Sequence, residues 1–356
     1  VSDFQVLSPA QQVAAHLTKE LASGMWQDLM PGAPLLAEQL GVDPKTIDAA
    51  LKLLEARGLL VPQGAGRRRR ITMPEIVRAG RPLRVEILLS DAAARHADYM
   101  VKLQHTLLKA GHDAYFCRSH LVTPGMNLTR VQKIVNQSPA DAWVVVGGSR
   151  EVLEWFSGRS VPTFALFGRT AGLALAAAKP DKAPAYAAAV RHLVSLGHRR
   201  IALLARRMRR LPVPGRSERA FLRELEARGI RTRSFNLPDW EDNKDGFHKL
   251  LTTLFQVTPP TALIIQEAFL FHATQQFLSH QGLRVPHDVS LVCSDNEPGF
   301  AWFDPPVSHI HWDSQPLIRR IKGWAADVKS GRVDQRETLT KAEFVEGGTI
   351  GPVNAG

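Results

Sequence analysis

The chain is 356 residues long with 44% hydrophobic and 22% charged side chains, which favours two or three domains over a single core and excludes wholesale disorder or a fibrous repeat. Its longest apolar run, Ala171 to Ala178, is well short of the ~18 residues a membrane helix needs, and no basic segment followed by an apolar one opens the sequence, so neither a membrane span nor an export signal is expected. The formal charge is +11, from 45 Lys and Arg against 34 Asp and Glu, which raises an anionic partner.

In chain order, Pro9 to Ser23 places Val13, Leu17 and Leu21 on one helical face and predicts a first helix stopped by Gly24. Leu35, Leu36, Ala37 and Leu40 predict a shorter second helix ending at Gly41. Asp43-Pro44, an N-cap oxygen followed by proline at the first helical position, opens a third that runs to Gly58. Leu59-Leu60-Val61, a Gln63-Gly64-Ala65-Gly66 turn and Arg67 to Ile71 read as a hairpin. The pattern changes near residue 74, through Met73-Pro74 and Ala79-Gly80-Arg81-Pro82. The expected division is therefore a head at 1–74, a linker at 75–83 and a body at 84–356.

In the body, Arg84 to Leu89, Ala114 to Cys117, Trp143 to Gly147 and Thr163 to Phe167 read as buried strands, separated by helices such as Asp98 to Ala110 and Leu128 to Asn136. A second series has strands at Ile201 to Ala205, Ala262 to Ile265 and Val289 to Cys293. Helices at Pro184 to Leu196, Ser217 to Arg228 and Ala268 to Gln281 accompany them. Such alternation predicts an α/β body of parallel sheets covered by helices. His309 to Trp312, Pro316 to Lys329 and Ala342 to Val345 remain to complete either sheet.

Charge is unevenly placed. Residues 1–72 are net +1, whereas Arg191 to Arg233 holds thirteen Arg against Glu218, Glu224 and Glu226. Cys117 and Cys293 are too few for a disulfide framework or a cysteine metal site, which fits a reducing cytoplasm. The thirteen histidines are scattered, Gly147-Gly148 lacks the spacing of a nucleotide loop, and no Ser-His-Asp element is evident. Neither an enzyme, nor a metal, nor a cofactor is expected.

Gly24-Met25-Trp26, Met30-Pro31-Gly32, Leu36 to Val42, Thr46, Ala50-Leu51, Leu54-Glu55, Gly58-Leu59-Leu60 and Gly64-Ala65-Gly66 together resemble the winged helix-turn-helix of GntR-type transcriptional regulators, over about sixty residues. That resemblance implies a DNA-binding head in which Lys45, Thr46 and Asp48, at the start of the third helix, face the major groove. Arg67, Arg68, Arg69 and Arg70 would then meet phosphates. The chain departs from the family pattern in having Gly32-Ala33-Pro34 before the second helix, and Pro44 and Asp48 in place of arginines. Asp48 would repel phosphate or accept from a cytosine amino group. A head turned to protein contacts is the alternative.

Val161 to Arg169, His192-Leu193, Leu196-Gly197-His198-Arg199-Arg200-Ile201-Ala202, Pro260-Thr261-Ala262 and Val285-Pro286-His287-Asp288-Val289-Ser290-Leu291-Val292 resemble the effector domain of the LacI family, over about 84–345. This implies a two-lobed, periplasmic-binding-protein-like fold with a small-molecule effector in an interlobe cleft. A homodimer on double-stranded operator DNA is also implied, with no membrane partner. Ligands in such sheets lie beyond the carboxyl ends of the strands. That rule selects Ser90, Asp91 and His96, then Arg169, then Arg206, Arg207, Gln266, Glu267 and Asp295. Asp295 falls where the family has an aspartate that accepts sugar hydroxyls. Gln266-Glu267 replaces the usual Asn-Asp, and Ser217, with Arg216 beside it, replaces a ligand-facing arginine. The run Arg206-Arg207-Met208-Arg209-Arg210 follows a strand directly and suggests a sugar or an anionic sugar derivative as effector. A transporter's solute-binding protein would share the body, but should carry an export signal and no head.

Overall fold

The computed structural model describes residues 8–354 apart from 24, 27, 65, 73–81 and 122–126, so Gly24, Ala65 and most of the expected linker lie outside the described residues. The chain opens with α1 (Pro9–Ser23), α2 (Ala33–Leu40) and α3 (Pro44–Ala56), followed by β1 (Leu60–Val61) and β2 (Arg70–Ile71). Pro34 lies in the first turn of α2, and Gly41 closes that helix in the left-handed region at φ 62°. Asp43 caps α3 by accepting from the Lys45 N–H at 2.8 Å. Val13, Leu17 and Leu21 meet Leu36, Ile47, Leu51 and Leu54 in one buried cluster closed by Leu59, Leu60 and Met30.

The expected second strand of the hairpin is corrected here. Only Arg70 and Ile71 pair with Val61 and Leu60, and Arg67 to Arg69 belong to the tip and its return. The same return pairs on its other side, where Leu29 bridges Arg70 and the Met30 N–H donates to the Arg69 carbonyl at 2.9 Å.

The first half of the body consists of β3 (Arg84–Leu88), α4 (Asp98–Lys109), β4 (Asp113–Phe116), α5 (Leu128–Gln137), β5 (Ala142–Val146), α6 (Arg150–Ser157), β6 (Thr163–Leu166) and β7 (Ala176–Asp181). The second half begins with α7 (Ala183–Ser195), β8 (Ile201–Leu204), the short α8 (Arg207–Arg210), α9 (Arg216–Ala227) and α10 (Lys244–Val257). It continues with β9 (Ala262–Ile265), α11 (Ala268–His280), β10 (Ser290–Cys293), β11 (His309–Trp312), α12 (Gln315–Lys329) and β12 (Glu337–Val345). The strands β5, β6, β8, β9 and β10 are buried along their whole length, as expected of apolar runs covered on both faces.

Two separate parallel sheets were expected, and one continuous sheet is found, in the order β4-β3-β5-β6-β7-β12-β11-β10-β9-β8. Its link is β12, which was read from sequence only as Ala342 to Val345. Glu337 to Lys341 pair in parallel with β7, and Ala342 to Val345 pair antiparallel with β11. One core cluster accordingly runs from Val85, Val144 and Phe164 through Tyr186 and Trp324 to Ile201 and Ile264. β7 escaped the sequence reading because Ala176-Ala177-Ala178 has no β-branched or aromatic side chain to mark a strand.

The start of β12 is held by charge. Arg320 of α12 reaches Asp334 at 2.8 Å and Thr338 at 3.1 Å, and Arg336 pairs with the same carboxylate at 3.0 Å. Asp334 is 3% exposed, and the Arg336 hydrogen bond first, with Arg320 behind it, pulls its pKa from 3.8 to about 2. A carboxylate depressed in the fold contributes stability that is complete above its unfolded pKa and disappears as pH falls through the folded value. Asp334→Asn is therefore expected to cost at most about 2 kcal/mol at neutral pH, since Arg336 faces solvent. Urea unfolding of the two proteins should give curves that draw together between pH 4 and about pH 2; a gap that stays constant over that range would reject the assignment.

Candidate functional site at the junction of the two halves

The carboxyl ends of the strands from both halves meet at one junction. After β3, Asp91 accepts from the Ala94 N–H at 3.0 Å and so caps the turn Ala93–His96 that leads into α4. Ser90 packs beneath Gly147, the residue following β5. After β6, Phe167 has φ 63°, a conformation that costs a large side chain about 1–3 kcal/mol. Gly168 follows at φ 79°, where a Cβ would approach the Gly148 carbonyl oxygen to 2.7 Å. This tight turn aims Arg169 at the second half.

Arg169 crosses the junction and donates to three backbone carbonyls of the opposite loop, those of Met208 at 2.9 Å, Arg209 at 3.0 Å and Val213 at 2.7 Å. It was expected to face an effector, and its guanidinium is instead engaged by neutral carbonyls of its own chain. Arg216 pairs with Asp181 at 2.7 Å, beside the end of β7.

Beyond β8, β9 and β10 stand Arg206, Gln266, Glu267 and Asp295. The Gln266 side chain accepts from the Arg206 N–H at 2.7 Å. The Arg206 guanidinium grips Glu267 at 3.2 Å and lies 5.1 Å above the Phe269 ring. Burial pushes the Glu267 carboxyl pKa up, against the pull of Arg206. Asp295 lies 3.8 Å from the Lys182 ammonium, which donates to the Ser294 carbonyl at 2.6 Å. Burial lowers the pKa of Lys182.

Tyr99, Phe167 and Trp312 form an edge-to-face trio with centroids 5.3 to 5.9 Å apart, drawn from α4, the turn after β6 and the end of β11. Burial raises the Tyr99 phenol pKa, and Asp295, Asp91 and Glu267 raise it further, so carboxylates of both halves act on one hydroxyl. Two buried polar atoms at the junction have no hydrogen-bond partner among the described residues: the Trp312 indole nitrogen and one oxygen of Glu218. The other Glu218 oxygen accepts from Arg209 at 3.0 Å.

The arginine run is reassigned. Arg210 is 4% exposed and donates inward to the Ala205 carbonyl at 2.7 Å, to the Trp240 carbonyl at 2.8 Å and to Asp239. Arg209 is taken by Glu218 and Arg206 by Glu267, which leaves only Arg207 of the four with an exposed side chain. A strand followed by dense charge suggested an anion site, but the run is neutralised by Glu218 nearby and by Asp239 and Glu267 from later segments. His96 ends its turn exposed, and Ser217 is buried. Sequence reasoning missed Tyr99, Phe167, Lys182 and Trp312. The carboxyl-end rule applied to β7 and β11 would have found Lys182 and Trp312.

In the head, Lys45 and Asp48 are exposed and Thr46 is half-buried at the start of α3. Arg67, Arg68 and Arg70 are exposed. Arg69 is 23% exposed and turns back to Glu55 and to Asp48, the latter at 3.7 Å, so of the four arginines expected at phosphates it is the one engaged by its own chain.

The continuous sheet, with its two halves meeting at the strand ends, has the fold of the LacI-type, periplasmic-binding-protein-like effector module. A family model described as a periplasmic binding protein-like domain matches residues 190–350. A LacI family transcriptional regulator from Enterococcus faecium with bound ribose superposes with a TM-score of 0.61 at 18% identity, covering 76% of this chain and 99% of that one, a likeness of fold. Among curated proteins, the chain is similar to the HTH-type transcriptional repressor PurR of Pasteurella multocida, 27% identical over 137 residues, 37% of this chain and 40% of the relative. It is also similar to the lactose operon repressor of Escherichia coli, 28% identical over 169 residues, 46% of this chain and 42% of the relative. The matches thus span about two fifths of the length of these relatives.

Arg169→Ala removes the three hydrogen bonds that this side chain donates to the 208–213 loop. Small-angle scattering should show a larger radius of gyration for this variant, and an unchanged profile would mean that the remaining contacts alone hold the halves together.

Proposed function

We propose that this chain is a DNA-binding transcriptional regulator whose hold on its operator is set by a small, hydroxyl-rich effector taken up at the junction of the two halves. The observation that carries this reading is the joining, in one chain, of a three-helix head with a basic hairpin to a body of the effector-binding fold. The head, ending near residue 74, is read as a winged helix of the GntR kind. Exposed Lys45 at the start of α3 and exposed Arg67, Arg68 and Arg70 on the hairpin support that reading.

At the junction, Asp91 and Asp295 offer acceptors for hydroxyl groups, and the partly exposed Phe167 ring offers an apolar surface, the combination that suits a sugar. The unpartnered indole N–H of Trp312 is a donor that a ligand oxygen would complete. A neutral ligand is favoured over an anionic one because three of the four clustered arginines already have internal partners. A homodimer is the expected assembly. Val101 and Leu108, seven residues apart on α4, and Tyr115 on the edge strand β4 are about half exposed and give an apolar strip for a second copy.

Fluorescence anisotropy with labelled duplex DNA, including the DNA upstream of the gene, tests the head. Binding should weaken with salt, and the triple variant Arg67→Ala, Arg68→Ala, Arg70→Ala should flatten the logarithmic salt slope by up to about 2.7. A wild-type protein that binds no duplex would sink the regulator reading and favour a head used for protein contacts. A thermal-shift screen of neutral sugars, sugar phosphates and nucleosides tests the junction. Asp295→Asn is expected to abolish the shift while leaving affinity for DNA within about threefold, as befits separate but coupled sites. A shift that survives this change would move the effector elsewhere.

A further inference from the structure

Asp48 and Glu55 are seven residues apart on α3, which is two helical turns within about 20°, so both carboxylates stand on one face. Arg69 returns from the hairpin tip to that face. Its Nε donates to Glu55 and its Nη2 lies 3.7 Å from Asp48. The Arg69 carbonyl meanwhile accepts from the Met30 N–H at 2.9 Å, and the next residues continue the anchoring. The Ile71 N–H donates to the Asp28 carbonyl at 3.0 Å and the Thr72 N–H to the Leu59 carbonyl at 2.9 Å. The hairpin itself has two residue pairs, too few to fix its own angle.

We propose that Arg69 is a positioning residue that pins the hairpin to α3 and neutralises the acids there, so that the free arginines Arg67, Arg68 and Arg70 are held at a fixed distance from the helix that reads bases. This rests on the DNA-binding reading of the head for its purpose, though not for its geometry. Without Arg69 the helix α3 presents two bare carboxylates, Asp48 near its start and Glu55 near its end, and the hairpin is held only by its backbone bonds. The arrangement also gives Asp48 a use in place of the arginine found at that position in the resembled family. It receives the wing instead of contacting DNA.

The test is a charge swap in the full chain. Arg69→Glu and Glu55→Arg, made singly, should each speed hydrogen exchange of the Met30, Ile71 and Thr72 amides by about three- to fivefold, the scale of a partly exposed ion pair. Each should also weaken binding to a labelled mixed-sequence duplex. The double variant R69E/E55R restores an opposite-charge pair at unchanged net charge, and is expected to return both exchange and affinity to within about twofold of wild type. Exchange that recovers in the double variant while affinity stays as low as in R69E would make Arg69 a direct phosphate ligand and overturn the proposal. Single variants with wild-type exchange would overturn it as well. If the wild-type protein binds no duplex, the regulator reading fails, and the exchange measurements still decide whether the pin exists.

Discussion

The strand β12 is the constraint on which the body depends. Its first five residues complete the sheet of one half and its last four complete that of the other, so a single run of backbone hydrogen bonds fixes the rotation of each half against its neighbour. Because β12 runs parallel to β7 and antiparallel to β11, the strands of the two halves are directed toward each other across the link. Their carboxyl ends, where a parallel sheet exposes its loops, are thereby brought face to face. Asp91 and Asp295, about two hundred residues apart in the chain, act on the same Tyr99 hydroxyl for this reason. Arg320 and Asp334 secure the point at which β12 begins, well away from the junction they help to align.

Where periodicity and apolar runs are strong, the sequence is a sufficient guide. The three head helices, the strands β3, β5, β6, β8, β9 and β10 and the helices α4, α5, α7, α9 and α11 are legible to within a residue or two, because burial demands Val, Ile and Leu at regular spacing. β7 and the first part of β12 were not legible. One is alanine-rich, and the other, Glu337-Thr338-Leu339-Thr340-Lys341, carries polar side chains along a partly exposed crossing. α10 likewise went unread, although Phe247, Leu250, Leu251 and Leu254 mark its buried face. The carboxyl-end rule pointed to Asp91, Arg169, Arg206, Glu267 and Asp295, which the fold brings to the junction. It overlooked Lys182 and Trp312 because their strands were unrecognised or left unassigned.

Arginine is where sequence reasoning and structure part most clearly, and the cause is physical. A guanidinium has five donors in a fixed plane and weak hydration, so it is well suited to collecting carbonyls and carboxylates inside a fold. Arg210 and Arg169 show this, the first gathering the carbonyls of Ala205 and Trp240, the second those of Met208, Arg209 and Val213. Formal charge in a linear window counts such residues as though they faced solvent. Glu218 lies within the window, but Glu267, Asp239 and the Trp240 backbone arrive from elsewhere in the chain and are invisible to it.

The same accounting applies in the head. Four consecutive arginines suggested a phosphate clamp, but residues 67 to 70 lie partly in a turn, and one of the four is claimed by α3. The positive charge of this protein is therefore divided between side chains that bind their own chain, such as Arg169, Arg206, Arg209 and Arg210, and those that face solvent. In the head, Arg67, Arg68 and Arg70 with Lys45 face solvent, and these are the cations that the proposed regulator would offer to a nucleic acid. With so few cations on the hairpin, the proposed DNA contact would depend on the geometry in which they are presented as much as on their number.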